Sequence, residues 1–278
     1  MPVLETRRLS DDVVVFNTEQ CIAAGDALHG RYATAVPFPH IALTDFIDAG
    51  VLRDLVAEWP DTAGRDFYDR AQERLKYEFQ PVHVQSPKLR SFLAEMNGEP
   101  MLRFIEHLTG IPKLIADPYY SGGGLHETKR GGHLGVHADF NIHRGMNLLR
   151  RINLLIYLNP DWPEEYGGNL ELWSRDMRQR EVSVAPVLGN AVIFNTDLDS
   201  FHGVPEPVAC PPDRARRSLA LYYYTAPESG LADVVPRTTT FQVRPSSKDR
   251  KDWPVLARHM MQDWLPPAVY RALKRPAK

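Results

Sequence analysis

The segment from residue 114 to residue 225 is a succession of short β-prone runs separated by Gly, Pro and Asn, and this pattern limits the fold more than any other feature. Many short strands joined by turns are typical of a β-sandwich or barrel rather than of βαβ units. This part of the chain is therefore expected to be mainly β. Its predicted strands cover residues 152–158, 169–173, 181–185, 191–195 and 218–225.

Helical patterns flank this β-rich segment on both sides. Residues 1–35 show mixed short patterns and no clear unit, and residues 37–43 resemble a short strand. Apolar residues then recur at helical spacing from Phe46 to Val56, and further helices are predicted over residues 88–96 and 100–108. Beyond Pro227, helices are predicted over residues 253–264 and 268–273.

The chain shows no internal repeat and no low-complexity linker, so we predict one integrated domain with additions at both ends. Its expected parts are an N-terminal strand and helical support (1–113), a β core (114–226) and a C-terminal extension with a basic helical tail (227–278). The fold class is mainly β with flanking helices.

The charge balance gives no reason to expect a nucleic-acid partner or an anionic membrane. The 278 residues include 33 Lys and Arg against 35 Asp and Glu, for a net charge of −2. The only cysteines, Cys21 and Cys210, lie far apart and lack the spacing of a zinc or redox motif. No apolar run approaches a membrane span, and no signal peptide is recognisable, so the predicted location is cytoplasmic.

Three side chains form a candidate metal site. His137 and Asp139 are two residues apart, so on a strand they would project from the same face. A second strand, residues 191–195, is followed by His202 in a His-Gly turn. Two imidazoles and one carboxylate suit non-haem iron(II), because this triad leaves three coordination positions open for reactants. Manganese and other divalent ions stay open as alternatives.

Other histidines near the triad compete for these roles. His133 has the same strand parity as His137 and is the main rival ligand. His143 is expected beyond the end of that strand. His126 is expected in a loop or in the wall of the site rather than on the metal.

A candidate carboxylate anchor follows the second histidine. Arg216, Ser218 and Ala220 alternate on one face of the last predicted strand, and Arg217 lies on the other face. A guanidinium beside a hydroxyl can bind a carboxylate through charge-assisted hydrogen bonds. The small neighbours favour Arg216, with Arg217 as the alternative. Tyr157, which alternates with Arg151 and Asn153 on one face of its strand, could donate to the same carboxylate.

The order of these motifs resembles the prolyl 4-hydroxylase-like branch of the iron(II)/2-oxoglutarate-dependent dioxygenases over residues 118–225. Residues 157–162 and 167–170 are similar to the segments that follow the first metal ligands in oxygen-sensing prolyl hydroxylases. The resemblance implies a double-stranded β-helix (jelly roll) core. It also implies iron(II) on His137, Asp139 and His202, with O2 as oxidant and ascorbate as a candidate reductant. The co-substrate 2-oxoglutarate would bind the metal, with its distal carboxylate on Arg216, Ser218 and Tyr157.

The activity implied by this resemblance is hydroxylation of an aliphatic C–H bond with release of succinate and CO2. Candidate substrates are a prolyl residue, an amino acid or another small metabolite, so the expected partner is a small molecule or a peptide. Two alternatives stay open: a cupin-like metal enzyme of another class, and a non-catalytic 2-oxoglutarate-binding sensor. Neither the substrate nor the oligomeric state follows from the sequence.

Overall fold

The strands and helices belong to a computed structural model that describes residues 1–62, 66–228, 230, 234–247 and 249. The helices are α1 (Thr18–Ala33), α2 (Ala49–Ala57), α3 (Pro87–Met96) and α4 (Glu99–Thr109). The strands are β1 (Thr6–Ser10), β2 (Val13–Phe16), β3 (His40–Leu43), β4 (Asp66–Arg70), β5 (Glu73–Phe79), β6 (Ile115–Ala116), β7 (Gly124–Ala138), β8 (Ile142–His143), β9 (Leu148–Tyr157), β10 (Leu170–Trp173), β11 (Arg180–Val184), β12 (Ala191–Asn195), β13 (His202–Val204), β14 (Ala215–Thr225) and β15 (Thr240–Phe241).

Among the described residues, thirteen strands form one antiparallel sheet. Its main path runs β11-β10-β13-β7-β14-β9-β12-β3, and β5 and β15 also pair with β7. The sheet curls into a nearly closed, barrel-like core of the jelly-roll type. The prediction of a mainly β fold is confirmed at this level. The path also makes β7, β9, β13 and β14 close neighbours, although they lie far apart in the chain.

Strand β9 separates two apolar cores through its alternating side chains. Ile152, Leu154 and Ile156 point outward into the larger core, which the sheet shares with the helices. Tyr157 points inward, into a smaller core inside the barrel. Burying an apolar side chain on each side holds the strand in one register, because a slip by one residue would exchange the two faces.

The N-terminal residues are more regular than the sequence indicated. They form the β1–β2 hairpin and the sixteen-residue helix α1, whose first turn is capped by the Asn17 side chain accepting from the Gln20 backbone N–H at 2.9 Å. Helix α1 packs against α4 through Gly25, where a Cβ would lie 2.7 Å from the Phe104 carbonyl oxygen. The helix was missed because it buries few apolar side chains and contacts α4 through a glycine.

The expectation of mostly helix before residue 114 was also wrong for the β4–β5 hairpin. This hairpin adds β5 to β7, with Lys76 opposite Thr128 and Glu78 opposite His126. Its strands are rich in charged residues, and so they lack the apolar alternation by which a strand is recognised. The hairpin forms one wall of the cavity described below.

The two helices predicted over residues 253–264 and 268–273 lie outside the described residues. In the part of the chain that the structure describes, no helix is both long enough and apolar enough to cross a membrane.

Candidate active site

Strands β7 and β13 bring the three predicted metal ligands together. His137 lies near the end of β7, Asp139 follows that strand, and His202 begins β13 directly opposite His137. One ligand atom from each of the three lies within 4.8 Å of the others, and all three side chains are buried. Gly203, in strand β13, permits this approach, because a Cβ there would lie 2.8 Å from the Gly135 carbonyl oxygen.

Both imidazoles are oriented with one ring nitrogen toward the centre of the cluster. Nδ1 of His137 lies 2.8 Å from the Gly135 carbonyl, and Nδ1 of His202 lies 3.0 Å from the Ser200 carbonyl. A carbonyl can only accept, so each Nδ1 carries the proton and each Nε2 presents a lone pair. Each Nε2 is 3.5 Å from a different oxygen of Asp139. The ligand atoms of two side chains that bind one metal at right angles lie about 3 Å apart. The three side chains would therefore move only slightly on binding a metal.

The electrostatics of the cluster favour the ionisation states that bind metal. Burial and the neighbouring His137 lower the pKa of His202 to about 4, which keeps its imidazole neutral near pH 7. Burial alone would raise the pKa of Asp139, but Arg150 and His202 hold it well below its ordinary value. Neutral imidazoles and an ionised carboxylate are the forms that ligate a divalent cation.

Arg150 and Asn153 surround the Asp139 carboxylate. Asn153 Nδ2 donates to Asp139 Oδ2 at 2.8 Å, and Arg150 Nη2 lies 3.1 Å from the same oxygen. Arg150 also donates from Nε to the Asn153 side-chain oxygen at 3.0 Å. Together these contacts fix the orientation of Asp139.

The sequence pattern put Arg151, not Arg150, on the face of Asn153, and the structure corrects this. Tyr223 pairs with Ile152, but Tyr224 pairs with Arg150, so Arg151 is an extra residue at a β-bulge. The bulge leaves Arg151 exposed and turns Arg150 inward. A strict two-residue period could not reveal it.

Arg216 and Ser218 lie on the inner face of β14, in the wall of the same cavity as the three ligands. Arg216 is buried and donates from Nε to the Gly168 carbonyl at 2.7 Å. In the described residues it has no carboxylate partner, and burial lowers its pKa. A buried guanidinium without a counter-ion is a ready site for a carboxylate.

Tyr157 lies behind Arg216 rather than on the cavity surface. The Arg216 Cζ is 5.0 Å from the centre of the Tyr157 ring, and the tyrosine is completely buried. Its hydroxyl forms no hydrogen bond of standard geometry with the described residues, and burial raises its pKa to about 12. This leaves a buried donor next to the guanidinium.

Arg217, the alternative anchor, points to the opposite side of β14. Its Nε donates to Glu127 Oε2 at 2.8 Å, and its guanidinium lies over the Trp59 ring at 5.0 Å. With its charge already matched by a buried glutamate, Arg217 does not face the cluster of metal-ligating side chains.

The competing histidines lie away from the three-ligand cluster. A bulge in β7 pairs Val204 with Leu134 instead of the residue that strict alternation requires, so His133 does not share the inward face of His137. His133 contacts the Ala71 carbonyl instead, at 3.2 Å. His143, which lies on β8, contacts Ser121 Oγ at 2.9 Å. His126 lies in the cavity wall, where burial and Lys76 lower its pKa to about 3.

One cavity of about 290 Å³ joins these groups. Part of its wall comes from residues that the sequence analysis did not select. On the hairpin, Lys76 is buried between Glu73 at 2.9 Å and Glu78 at 2.7 Å. On the other side, β15 pairs with the end of β7 and puts the Phe241 ring 5.3 Å from the His137 ring. Neither element carries a motif, so only the fold could reveal these contributions.

Comparison with known families agrees with this geometry. Residues 123–224 match the family model described as the 2OG-Fe(II) oxygenase superfamily. The β core is that of a 2OG-Fe(II) oxygenase. The matched segment contains all of the predicted ligand and anchor residues. The predictions of an enzyme of the 2-oxoglutarate-dependent dioxygenase class, and of iron(II) and 2-oxoglutarate as its cofactor and co-substrate, are confirmed.

Solved structures share the fold of this oxygenase core at low sequence identity. A Pseudomonas putida prolyl 4-hydroxylase is 20% identical with a TM-score of 0.55, covering 73% of this chain and all of that one. A Phytophthora capsici prolyl 4-hydroxylase is 18% identical with a TM-score of 0.53, covering 92% of this chain and 77% of that one. A Trichoplax adhaerens prolyl hydroxylase, solved with a peptide fragment of hypoxia inducible factor, is 15% identical with a TM-score of 0.51, covering 74% and 91%. No curated protein matches the chain.

The side chains of this oxygenase core fit the two groups that the superfamily uses. Two Nε2 lone pairs and an ionised carboxylate face one point, as an octahedral ferrous ion requires. Arg216 offers a positive charge without a carboxylate partner among the described residues, with Ser218 on the same strand face and the buried Tyr157 hydroxyl next to the guanidinium. A dicarboxylate that binds the metal at one end can place its other end against this guanidinium.

Proposed function

We propose that this protein hydroxylates an aliphatic C–H bond, with His137, Asp139 and His202 as iron(II) ligands and Arg216, Ser218 and Tyr157 as the 2-oxoglutarate site. Its substrate is an amino acid, another small metabolite or a residue of a peptide, including a prolyl residue. The core responsible is residues 114–226, a double-stranded β-helix supported by residues 1–113 and extended by residues 227–278. We infer a cytoplasmic location.

One observation carries this proposal. The three-ligand cluster and an unpaired, buried Arg216 face the same cavity, although the ligands and the arginine come from different strands. A metal site alone would fit many enzymes. A metal site that shares a cavity with a desolvated guanidinium fits an oxo dicarboxylate, which needs a partner at each end.

When bound, iron(II) and 2-oxoglutarate supply the oxidative chemistry: O2 gives one oxygen atom to succinate as CO2 leaves, and the other to the substrate C–H bond. The protein's own groups position and enclose the reactants. His137 and His202 are held by backbone carbonyls, and Asp139 is held by Asn153. Arg216, buried under Gly168, excludes water from the distal carboxylate and sets the depth of the co-substrate.

The test is spectroscopic and uses purified full-length protein under anaerobic conditions. Iron(II) plus 2-oxoglutarate should give a weak visible charge-transfer band in the wild type and none in Asp139→Ala. Arg216→Ala should require roughly tenfold or more 2-oxoglutarate for the same band, because a charged hydrogen-bonded anchor is lost. Arg217→Ala is the matched control and should leave the 2-oxoglutarate titration unchanged.

Two outcomes would favour the alternatives. A cupin-like enzyme that needs no oxo acid would bind iron(II) but give no band with 2-oxoglutarate, and Arg216→Ala would not alter its metal binding. A non-catalytic sensor would give the band, yet would form no succinate when O2 is admitted, even with a broad panel of substrates. Succinate formation that depends on both Asp139 and Arg216 supports the hydroxylase.

A further inference from the structure

Arg150 is a buried cation in the wall of the active-site cavity, and the bulge in β9 is what turns it inward. Its guanidinium lies between two aromatic rings, 3.5 Å from the centre of the Tyr222 ring and 4.5 Å from that of Phe140. These faces hold the planar group in one orientation and desolvate it. An oriented, desolvated guanidinium is a strong site for a planar anion.

In the described part of the chain, the only ion-pair partner of Arg150 is Asp139, at 3.1 Å. In the proposed function that carboxylate binds iron(II), so the charge of Asp139 is engaged by the metal. Asn153 donates to the same Asp139 oxygen at the shorter distance of 2.8 Å, so Arg150 is not the only group that holds this carboxylate. The ion pair therefore leaves part of the arginine's charge unmatched once metal is bound.

No other acidic side chain of the described cavity wall compensates Arg150. Glu73 and Glu78 share the ammonium of Lys76, at 2.9 and 2.7 Å. The distal carboxylate of 2-oxoglutarate is matched by Arg216. When iron(II) and 2-oxoglutarate are bound, Arg150 is thus a buried cation whose carboxylate partner, Asp139, also binds the metal. A buried charge is energetically unfavourable unless it is paired.

We propose that Arg150 binds a carboxylate of the substrate, so that the enzyme acts on acidic molecules or on acidic positions of a peptide. The inference rests on the proposed function and adds the substrate class. The guanidinium is a direct neighbour of the ligand Asp139, so a carboxylate bound to it lies close to the iron. The C–H bond to be oxidised is accordingly only a few bonds away from the acidic group.

The experiment uses wild-type protein loaded anaerobically with iron(II) and saturating 2-oxoglutarate, so that Arg216 is occupied. Acetate, benzoate, N-acetylglycine and N-acetylproline are titrated, each beside its neutral carboxamide, and perturbation of the charge-transfer band reports binding. We expect at least one acid to bind roughly tenfold or more tightly than its amide, as a lost charged hydrogen bond implies. Arg150→Gln should abolish this preference and Arg150→Lys should restore part of it.

The exposed neighbour Arg151 supplies the matched control, because Arg151→Gln removes the same charge from the same strand outside the cavity. The proposal is overturned if no acid perturbs the band, if acids and amides bind equally, or if Arg150→Gln keeps the preference. Loss of the band itself in Arg150→Gln would also overturn it, by showing that Arg150 only positions Asp139. A wild-type protein that gives no band refutes the proposed function instead, and this inference with it.

Discussion

At the scale of single residues, Gly168 controls the position of the Arg216 side chain. It has a φ of +74°, and a Cβ added there would lie 2.9 Å from Arg216 Cδ. Its carbonyl also accepts the hydrogen bond from Arg216 Nε. Within the segment 167–170, Gly168 must therefore remain without a side chain for Arg216 to occupy its place.

We predict that Gly168→Ala weakens 2-oxoglutarate binding without weakening iron binding. The added methyl group displaces Arg216, and the left-handed backbone adds strain of about 1–3 kcal/mol, so the Kd for 2-oxoglutarate should rise roughly tenfold. Titration of the charge-transfer band with 2-oxoglutarate, beside a separate iron(II) titration, measures the two effects. Both titrations are made on protein shown by circular dichroism to be folded.

Gly167→Ala is the control for this prediction. Gly167 also has a positive φ, but nothing lies within 4 Å of a Cβ built there. That variant carries backbone strain without the collision with Arg216. Equal losses of 2-oxoglutarate affinity in the two variants would mean that strain, and not the contact with Arg216, explains the effect.

At the scale of secondary-structure elements, the positions of strands and helices were predicted most accurately where the apolar periodicity of the sequence was strong. Strands β9, β10, β11, β12 and β14 lie close to their predicted positions, and α2, α3 and α4 carry clear apolar faces. The hairpin β4–β5 is charged, and α1 uses a glycine against its neighbour, so neither shows that periodicity. The bulges in β7 and β9 decide which of two adjacent residues faces inward, and they depend on pairing with distant strands.

The candidate site could be predicted because its residues also form recognisable patterns in the sequence. His137, Asp139, His202, Arg216 and Ser218 belong to short motifs whose spacing survives in the sequence, and the structure brings all five to one cavity. Arg150, Lys76 and Phe241 have no motif. Their places in the wall follow from a bulge, a hairpin and a late strand, and such features arise only when the chain is folded.

Strand β15 offers a test of an element outside the family motifs. It pairs with the end of β7 and places Phe241 against His137, with Thr239 also in the cavity wall. We predict that Phe241→Ala increases the rate at which a chelator removes iron(II) from the protein by roughly tenfold, because shells around a ligand limit solvent access and contribute about 10–100-fold to metal retention. Stopped-flow absorbance of the chelator complex provides the rate.

Val243→Ala is the matched control for Phe241→Ala, since Val243 follows the same strand but is exposed. Its iron-release rate should equal that of the wild type. An unchanged rate in Phe241→Ala would contradict the role assigned to β15.

At the scale of the whole molecule, the elements that frame the cavity divide into two groups. The proposed metal ligands and 2-oxoglutarate anchors lie within the family-matched residues 123–224. The hairpin β4–β5 and strand β15 lie outside that segment, yet both pair with β7 and line the same cavity. The cavity thus combines residues of the family-matched segment with walls from outside that segment, and such added walls are a natural place for substrate selection.

The same arrangement predicts that ligands stabilise the whole fold. In the proposed function, metal and 2-oxoglutarate contact residues on or next to β7, β13 and β14, which lie far apart in the chain, so they bind the folded state and not the unfolded one. At about 100 times Kd, a ligand adds about 2.7 kcal/mol and should raise the midpoint of thermal unfolding by roughly 5–10 °C. Anaerobic calorimetry of the wild type with iron(II) and 2-oxoglutarate measures the shift.

Asp139→Ala should lose the response to iron(II), whereas Arg216→Ala should keep it and lose the further increase with 2-oxoglutarate. Identical shifts in all three proteins would place the binding elsewhere on the molecule.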